Sequence, residues 1–307
     1  MRNRLAGVLA AAMIFSIAPV AARAAALPPD PPRAESFDVG MLHVDRYGSG
    51  DPIVLVPGLA SGAWVWNGII PHLAAKHSVY AVTFAGFAGR PAAGTVSFAA
   101  FENDLTALLD QRHLAKTVLV GHSLGGTLAI DYAETHPDRV RGVVAADGLP
   151  VFPGMQQLTQ QQREDIGAQM GGSVKTQTHD QLLAFEKGYM ASVGVTDAAL
   201  GDQVAALSAQ SDASTVAAWL QADLAADLRP NLAKITVPVL EIAPHNPAEA
   251  NPAPIHYTEP EKAAYYRTLL AGVAKLDVVT IAPARHFVML DQPERFQKAL
   301  DDFLARV

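Results

Sequence analysis

Six short apolar runs, separated by longer stretches of helical periodicity, leave this chain few architectures. They are IVLVPG from Ile53, SVYAVTFAG from Ser78, KTVLVGHS from Lys116, VRGVVAADG from Val140, VPVLEIAP from Val237 and LDVVTIAP from Leu276. Each is apolar at successive positions rather than alternate ones, which fits strands covered on both faces in a mostly parallel sheet. Helical patterns fall between them, at Ala63 to about Lys76, Phe98 to Leu114, Leu124 to Thr135, Glu259 to Ala271 and Val288 to Arg306. Strand and helix in alternation predict an α/β fold with a doubly wound sheet. Ahead of these runs, SFDVGMLHVDRYGSGDP alternates around Gly40 and reads as an antiparallel pair. Between Gly148 and Lys234 the strand pattern stops. Gln-rich and Ala-rich stretches such as QQLTQQQREDIGAQM and DQLLAFEKGYMASVG predict a helical insertion, about 149–233, over one end of the sheet in a domain spanning 34–307.

Residues 1–26 have the three-part layout of a secretory signal peptide: Arg2 and Arg4, an apolar run from Leu5 to about Val20, then small residues ending in Ala24 and Ala26. The run is broken by Ser16 and Pro19 and is short for a bilayer core of about 30 Å, so export with cleavage is expected rather than a membrane anchor. Removing the segment takes away three arginines and no acid, leaving a secreted or periplasmic protein with no membrane span. Residues 27–33, LPPDPPR, read as an extended Pro-rich linker. The 307 residues carry 23 Lys plus Arg against 30 Asp plus Glu, a balance that excludes a diffuse basic surface for nucleic acid. Cysteine is absent, which removes disulfides, thiolate metal sites and thiol nucleophiles together.

Gly121-His122-Ser123-Leu124-Gly125 places Gly-x-Ser-x-Gly between a strand and a helix. There the chain must turn sharply, glycines two residues either side of the serine relieve collisions, and the serine sits at a helix N-terminus as a candidate nucleophile. The Leu124 N–H can then stabilise a developing oxyanion. A second donor is expected from the loop after Val56, where Leu59 leads and Ala60 is the alternative.

With these motifs the sequence resembles the α/β-hydrolase superfamily, among its lidded, esterase-like members, over about residues 36–307. PGLASGAWVW resembles the oxyanion loop, GHSLGG the nucleophile elbow, HPDRVRGVVAADGLP the next strand and its exit, and RHFVMLDQPERFQKALDDFL the histidine loop and last helix. The oxyanion loop departs from the common His-Gly, having Pro57-Gly58. Among ten histidines, the resemblance points to His286 as the base, with His245 and His256 as competitors; His122 belongs to the elbow itself. The usual acid position, after the penultimate strand, reads Asn246-Pro247. Three candidates stay open: Asp147, one strand earlier; Glu249; or a neutral, water-bridged arrangement through Asn246. The resemblance implies a cofactor-independent serine hydrolase acting on a carboxylic ester through an acyl-enzyme, and the apolar residues of the insertion favour a hydrophobic, small-to-medium ester over a charged one. Lactonase, amidase, C–C hydrolase and perhydrolase activities, or a non-catalytic ligand-binding homologue, are the alternatives. Phe152, Met155, Met170, Leu183, Phe185, Met190 and Trp219 are the apolar pocket candidates within the insertion.

Overall fold

The computed structural model describes residues 26–247 and 257–307. The leader assignment to residues 1–26 falls, but for Ala26, outside the described residues, as do His256 and Glu249. The linker at 27–33 has no regular secondary structure and lies against the body: Asn67 Nδ2 donates to Pro28 O (3.1 Å) and Asp30 Oδ1 (2.9 Å), and Arg33 pairs with Asp45 (3.0 Å).

The first strands, β1 (Glu35–Val39), β2 (Leu42–Gly48) and β3 (Asp51–Val56), are followed by a 3₁₀ turn at Ala63–Trp66, helix α1 (Ile70–Ala74) and β4 (His77–Phe84). Then come α2 (Phe98–Gln111), β5 (Thr117–His122), α3 (Leu124–Thr135) and β6 (Val140–Ala146). After β6 the chain leaves the sheet for α4 (Gln160–Lys175), α5 (His179–Tyr189), a π turn at Met190–Gly194, α6 (Ala198–Ser208) and α7 (Ala213–Ala225). It returns through β7 (Val239–Pro244), α8 (Glu259–Leu269), β8 (Leu276–Ile281), α9 (Val288–Asp291) and α10 (Pro293–Leu304).

The strands form one sheet in the order β1-β2-β4-β3-β5-β6-β7-β8; β1 and β2 are antiparallel, as are β2 and β4, and every later pair is parallel. Successive residues of β3 serve opposite faces. Val54 and Val56 pack with Leu119, Leu128 and Phe84, while Ile53 and Leu55 pack with Val118, Trp66 and Phe296. This two-sided burial is why the strands read as unbroken apolar runs. The strand order reverses at the neighbouring β3 and β5, the switch point beyond whose carboxyl ends open α/β sheets bind ligands.

Two helical patterns are shorter than their periodicity predicts. The stretch 63–76 divides into the 3₁₀ turn and α1 because Pro71, which has no N–H to give, is tolerated only in a first turn. Pro293 divides the last helix in the same way, starting α10.

The helices between β6 and β7 are tied to the body: Trp219 of α7 packs against Phe84 at 5.2 Å between ring centroids, and Val204 of α6 joins the Trp66 side of the core.

Asp131 is buried on α3, the helix that Ser123 caps. Burial, reinforced by the Glu102 and Glu134 carboxyls, pushes it up to about 8. An unfolded aspartate titrates near about 4, so across roughly pH 4–8 the folded chain holds a proton that the unfolded chain has lost. Stability from this group is therefore present at low pH and lost as pH rises through that window. Asp131→Asn fixes the neutral form, so the fall in Tm from pH 5 to pH 8 should narrow by several degrees. An undiminished fall would locate its source elsewhere.

Candidate active site

β5 ends at His122 and α3 begins at Leu124, which leaves Ser123 to make the whole change of direction. It does so at φ 53°, ψ −124°, a conformation costing an L residue about 1–3 kcal/mol and kept only where the surroundings fix it. The fixing bonds are Ser123 N–H to Ala146 O (2.9 Å) and the Gly126 N–H onto Ser123 O (2.8 Å). The flanking glycines are obligatory, because a Cβ on Gly121 would lie 2.1 Å from Gly125 O and one on Gly125 would lie 2.3 Å from Val56 O. The β3 exit lies directly against the serine: a Cβ on Gly58 would be 3.1 Å from Ser123 Cβ. Leu124, first residue of α3, has no intrahelical partner for its N–H, and Leu59 follows Gly58 in that close loop.

Asp147 follows the last residue of β6. Its backbone is left-handed (φ 53°), and its N–H donates to Ile242 O of the adjoining β7 (3.0 Å). His286 lies between β8 and α9, and its Nδ1 is 2.6 Å from Asp147 Oδ2, with the two side chains 14% and 17% exposed. Asp147 and His286, 139 residues apart in the chain, are thus brought together. A second bond holds the carboxylate from its other side, where Tyr266 of α8 donates its hydroxyl to Asp147 Oδ1. Burial opposes ionisation of Asp147, but the His286 hydrogen bond and charge, Lys262 and Tyr266 outweigh it and hold the carboxyl well below the usual range. Of the acid candidates, Asp147 is the one bonded to His286 Nδ1, and Glu249 lies outside the described residues.

His122 does not face the cavity. Its Nε2–H donates to His286 O (3.0 Å), its ring is 4.5 Å from the His286 ring, and burial with that neighbour pushes its basicity far down, so it stays neutral. His245 donates instead to Tyr257 O (2.8 Å).

The loop bearing His286 is held from the helical insertion. The π turn accepts two backbone bonds, His286 N–H onto Val193 O (3.1 Å) and Phe287 N–H onto Gly194 O (2.9 Å). Arg285 donates to Ala191 O and Val195 O, and Asp291 accepts from Arg285 N–H and Thr196 N–H. A π turn lengthens the helix locally by one residue and is frequent at functional sites.

Ser123, Asp147 and His286 line one cavity of about 360 Å³. Leu149, Val151, Phe152 and Val193 supply apolar wall, whereas Tyr189, Asp223, Lys262 and Tyr266 make the rest polar. Of the seven apolar candidates in the insertion, Phe152 lines this cavity. Trp219 and Met190 are core residues, and Met170 and Phe185 point to solvent at 45% and 52% exposure. Nothing in the sequence signalled Tyr266, Asp223 or Lys262, since which face of α7 or α8 turns inward depends on tertiary docking. Among the described residues, no cluster of three or more His, Asp or Glu side chains is placed to hold a metal ion, and no helix is long and apolar enough to cross a membrane.

The sequence profile of the alpha/beta hydrolase family matches residues 53–299, which takes in β3, the elbow, Asp147 and His286. The chain belongs to the alpha/beta hydrolase family. This hydrolase is 25% identical over 269 residues to the "Putative carbamate hydrolase RutD" of Azorhizobium caulinodans, covering 87% of the chain and 96% of that relative. It is 34% identical over 114 residues to the pimeloyl-[acyl-carrier protein] methyl ester esterase of Aeromonas hydrophila. That match spans 36% of the chain and only 43% of the relative's length. Among solved structures, the enol-lactonase from Burkholderia xenovorans superposes with a TM-score of 0.68 at 20% identity, covering 86% of the chain and 96% of the lactonase. An esterase from Thermogutta terrifontis superposes with 0.70 at 19% identity, covering 89% and 99%. At these identities the superpositions speak for the fold.

Proposed function

We propose that the protein is a serine hydrolase that cleaves small carboxylic esters through an acyl-enzyme. The observation that carries this reading is the 2.6 Å bond from His286 Nδ1 to Asp147 Oδ2 on the wall of the cavity that Ser123 enters. An ionised Asp147 keeps the proton on Nδ1, so the lone pair is on Nε2, the tautomer a general base requires. In the forward step Ser123 Oγ attacks the ester carbonyl carbon and His286 Nε2 takes the hydroxyl proton. The Leu59 and Leu124 N–H groups stabilise the oxyanion. As the tetrahedral intermediate collapses, the imidazolium returns that proton to the departing alkoxide. Water, deprotonated by the same nitrogen, then attacks the acyl carbon and releases the acid, restoring Ser123. Tyr266 steadies Asp147 throughout, a positioning role rather than a chemical one.

The test is active-site labelling followed by a substrate panel. A fluorophosphonate should modify Ser123 stoichiometrically, and p-nitrophenyl esters should turn over faster than matched lactones and anilides. A protein that is neither labelled nor active on any of these would be a binding member of the family; faster lactone or amide cleavage would reassign the substrate within it.

The leader-like residues 1–26 support export to the periplasm or medium. Mass spectrometry of protein from outside the cytoplasm should find a mature N-terminus at Ala25 or Leu27. Intact Met1 in a membrane fraction would support an anchor instead.

A further inference from the structure

Asp223, on α7, lines the cavity that Ser123 and His286 share. Among the described residues its carboxyl accepts no hydrogen bond and meets no lysine or arginine at ion-pair distance. The charged group that acts on it is the His286 imidazole. Burial pushes Asp223 up to about 7, with His286 pulling the other way. The other charges around the cavity are answered. Lys262 Nζ lies 5.2 Å from the Tyr266 ring centroid, and its charge favours the ionised Asp147. Asp147 also receives hydrogen bonds from His286 and Tyr266. Glu241, on β7 beside Asp147, is held protonated by burial and by Asp147, and burial likewise keeps the Tyr189 phenol neutral. Asp147 has His286, Tyr266 and Lys262 as its partners, and Asp223 is the cavity carboxyl left without one.

We propose, building on the ester-hydrolase reading, that Asp223 forms a subsite for a protonated amine carried by the substrate. A half-buried carboxylate in a cavity gives up part of its hydration with no cation in return, and a ligand that brings an ammonium supplies the partner through a charge-assisted hydrogen bond. A hydroxyl would give a weaker bond, and a ligand carboxylate would be repelled. Because Leu149, Val151 and Phe152 line the same space, the ligand class is an amine on a short aliphatic chain, that is, an amino ester.

Binding is measured first, independently of turnover. n-Pentylammonium and 1-pentanol are titrated calorimetrically into the parent and Asp223→Asn at pH 7, in two buffers of different ionisation enthalpy. The parent should bind the ammonium about tenfold or more tightly than the alcohol. It should also release about half a proton per cation, because a carboxyl near its midpoint must ionise to make the pair. Asp223→Asn should lose both the preference and the proton release. Turnover is compared next, with methyl 5-aminopentanoate against methyl hexanoate, in which a methyl group replaces the ammonium. The parent's kcat/KM should favour the amino ester by about tenfold, and the ratio should fall to about one in Asp223→Asn.

Equal binding of amine and alcohol by the parent, amine preference without proton release, or a preference that survives Asp223→Asn would each overturn the subsite. The parent's own preference and proton release decide the matter even if the variant does not fold. Ammonium binding with proton release but no ester turnover would leave the subsite standing and overturn the hydrolase reading instead.

Discussion

Ser123→Ala is expected to lower kcat for ester hydrolysis by about 10⁴-fold or more while leaving the melting temperature near that of the parent. The size of the loss follows from removing the one atom that forms the acyl bond; what survives is the binding and oxyanion stabilisation that act without it. The fold should tolerate the change because the Ser123 hydroxyl makes no capping bond to α3, and the conformation at φ 53° is fixed by backbone bonds that alanine retains. Steady-state hydrolysis of p-nitrophenyl butyrate, paired with a thermal melt, measures both quantities. Activity within tenfold of the parent, from a protein that melts normally, would remove Ser123 from the mechanism.

Asp147→Asn should lower kcat by about 10²–10⁴-fold, the scale seen when a triad loses its charged partner and the imidazole takes the wrong tautomer. The amide has nearly the carboxylate's shape, so the effect belongs to charge and proton placement more than to packing. Tyr266→Phe should move kcat the same way by a smaller factor, about tenfold, since it removes one of two hydrogen bonds to Asp147 and leaves the His286 bond in place. Asn246→Ala and Glu249→Gln should stay within about fivefold. A ranking in which Asp147→Asn is near parental and a variant at 246 or 249 is crippled would move the orienting group to the loop after Pro244. If all three stay within fivefold, Ser123 and His286 work as a dyad.

The parts of this molecule legible in its sequence are those governed by local rules or by two-sided burial. The strands were readable because Ile53 and Val54 each meet a packed layer, so no polar alternation interrupts the run. The elbow was readable because Gly121 and Gly125 are demanded by backbone contacts a few residues away or on the neighbouring β3. The helix limits at 63–76 and 288–306 differ from the periodicity because Pro71 and Pro293 start a new helix inside one periodic pattern. The sequence alone does not separate Asp147 from its rivals, because an aspartate after β6 also suits a left-handed turn, and its φ of 53° satisfies both descriptions. Tyr266 and Asp223 were invisible for a different reason. Tyr265 and Tyr266 are adjacent and chemically alike, and only the seating of α8 on the sheet decides which hydroxyl reaches Asp147.

The backbone bonds from His286 and Phe287 to the π turn bear on how such a protein can diversify. Where an insertion is merely laid over a sheet, it can be exchanged as a cassette, altering the substrate and sparing the chemistry. Here the cassette has a seam at Met190–Gly194 that also holds the His286 loop in place. A chimera that grafts a foreign insertion between β6 and β7 must therefore import a turn offering carbonyls where Val193 and Gly194 now offer theirs. Otherwise the transplant would loosen His286 even though every residue of the recipient sheet was kept.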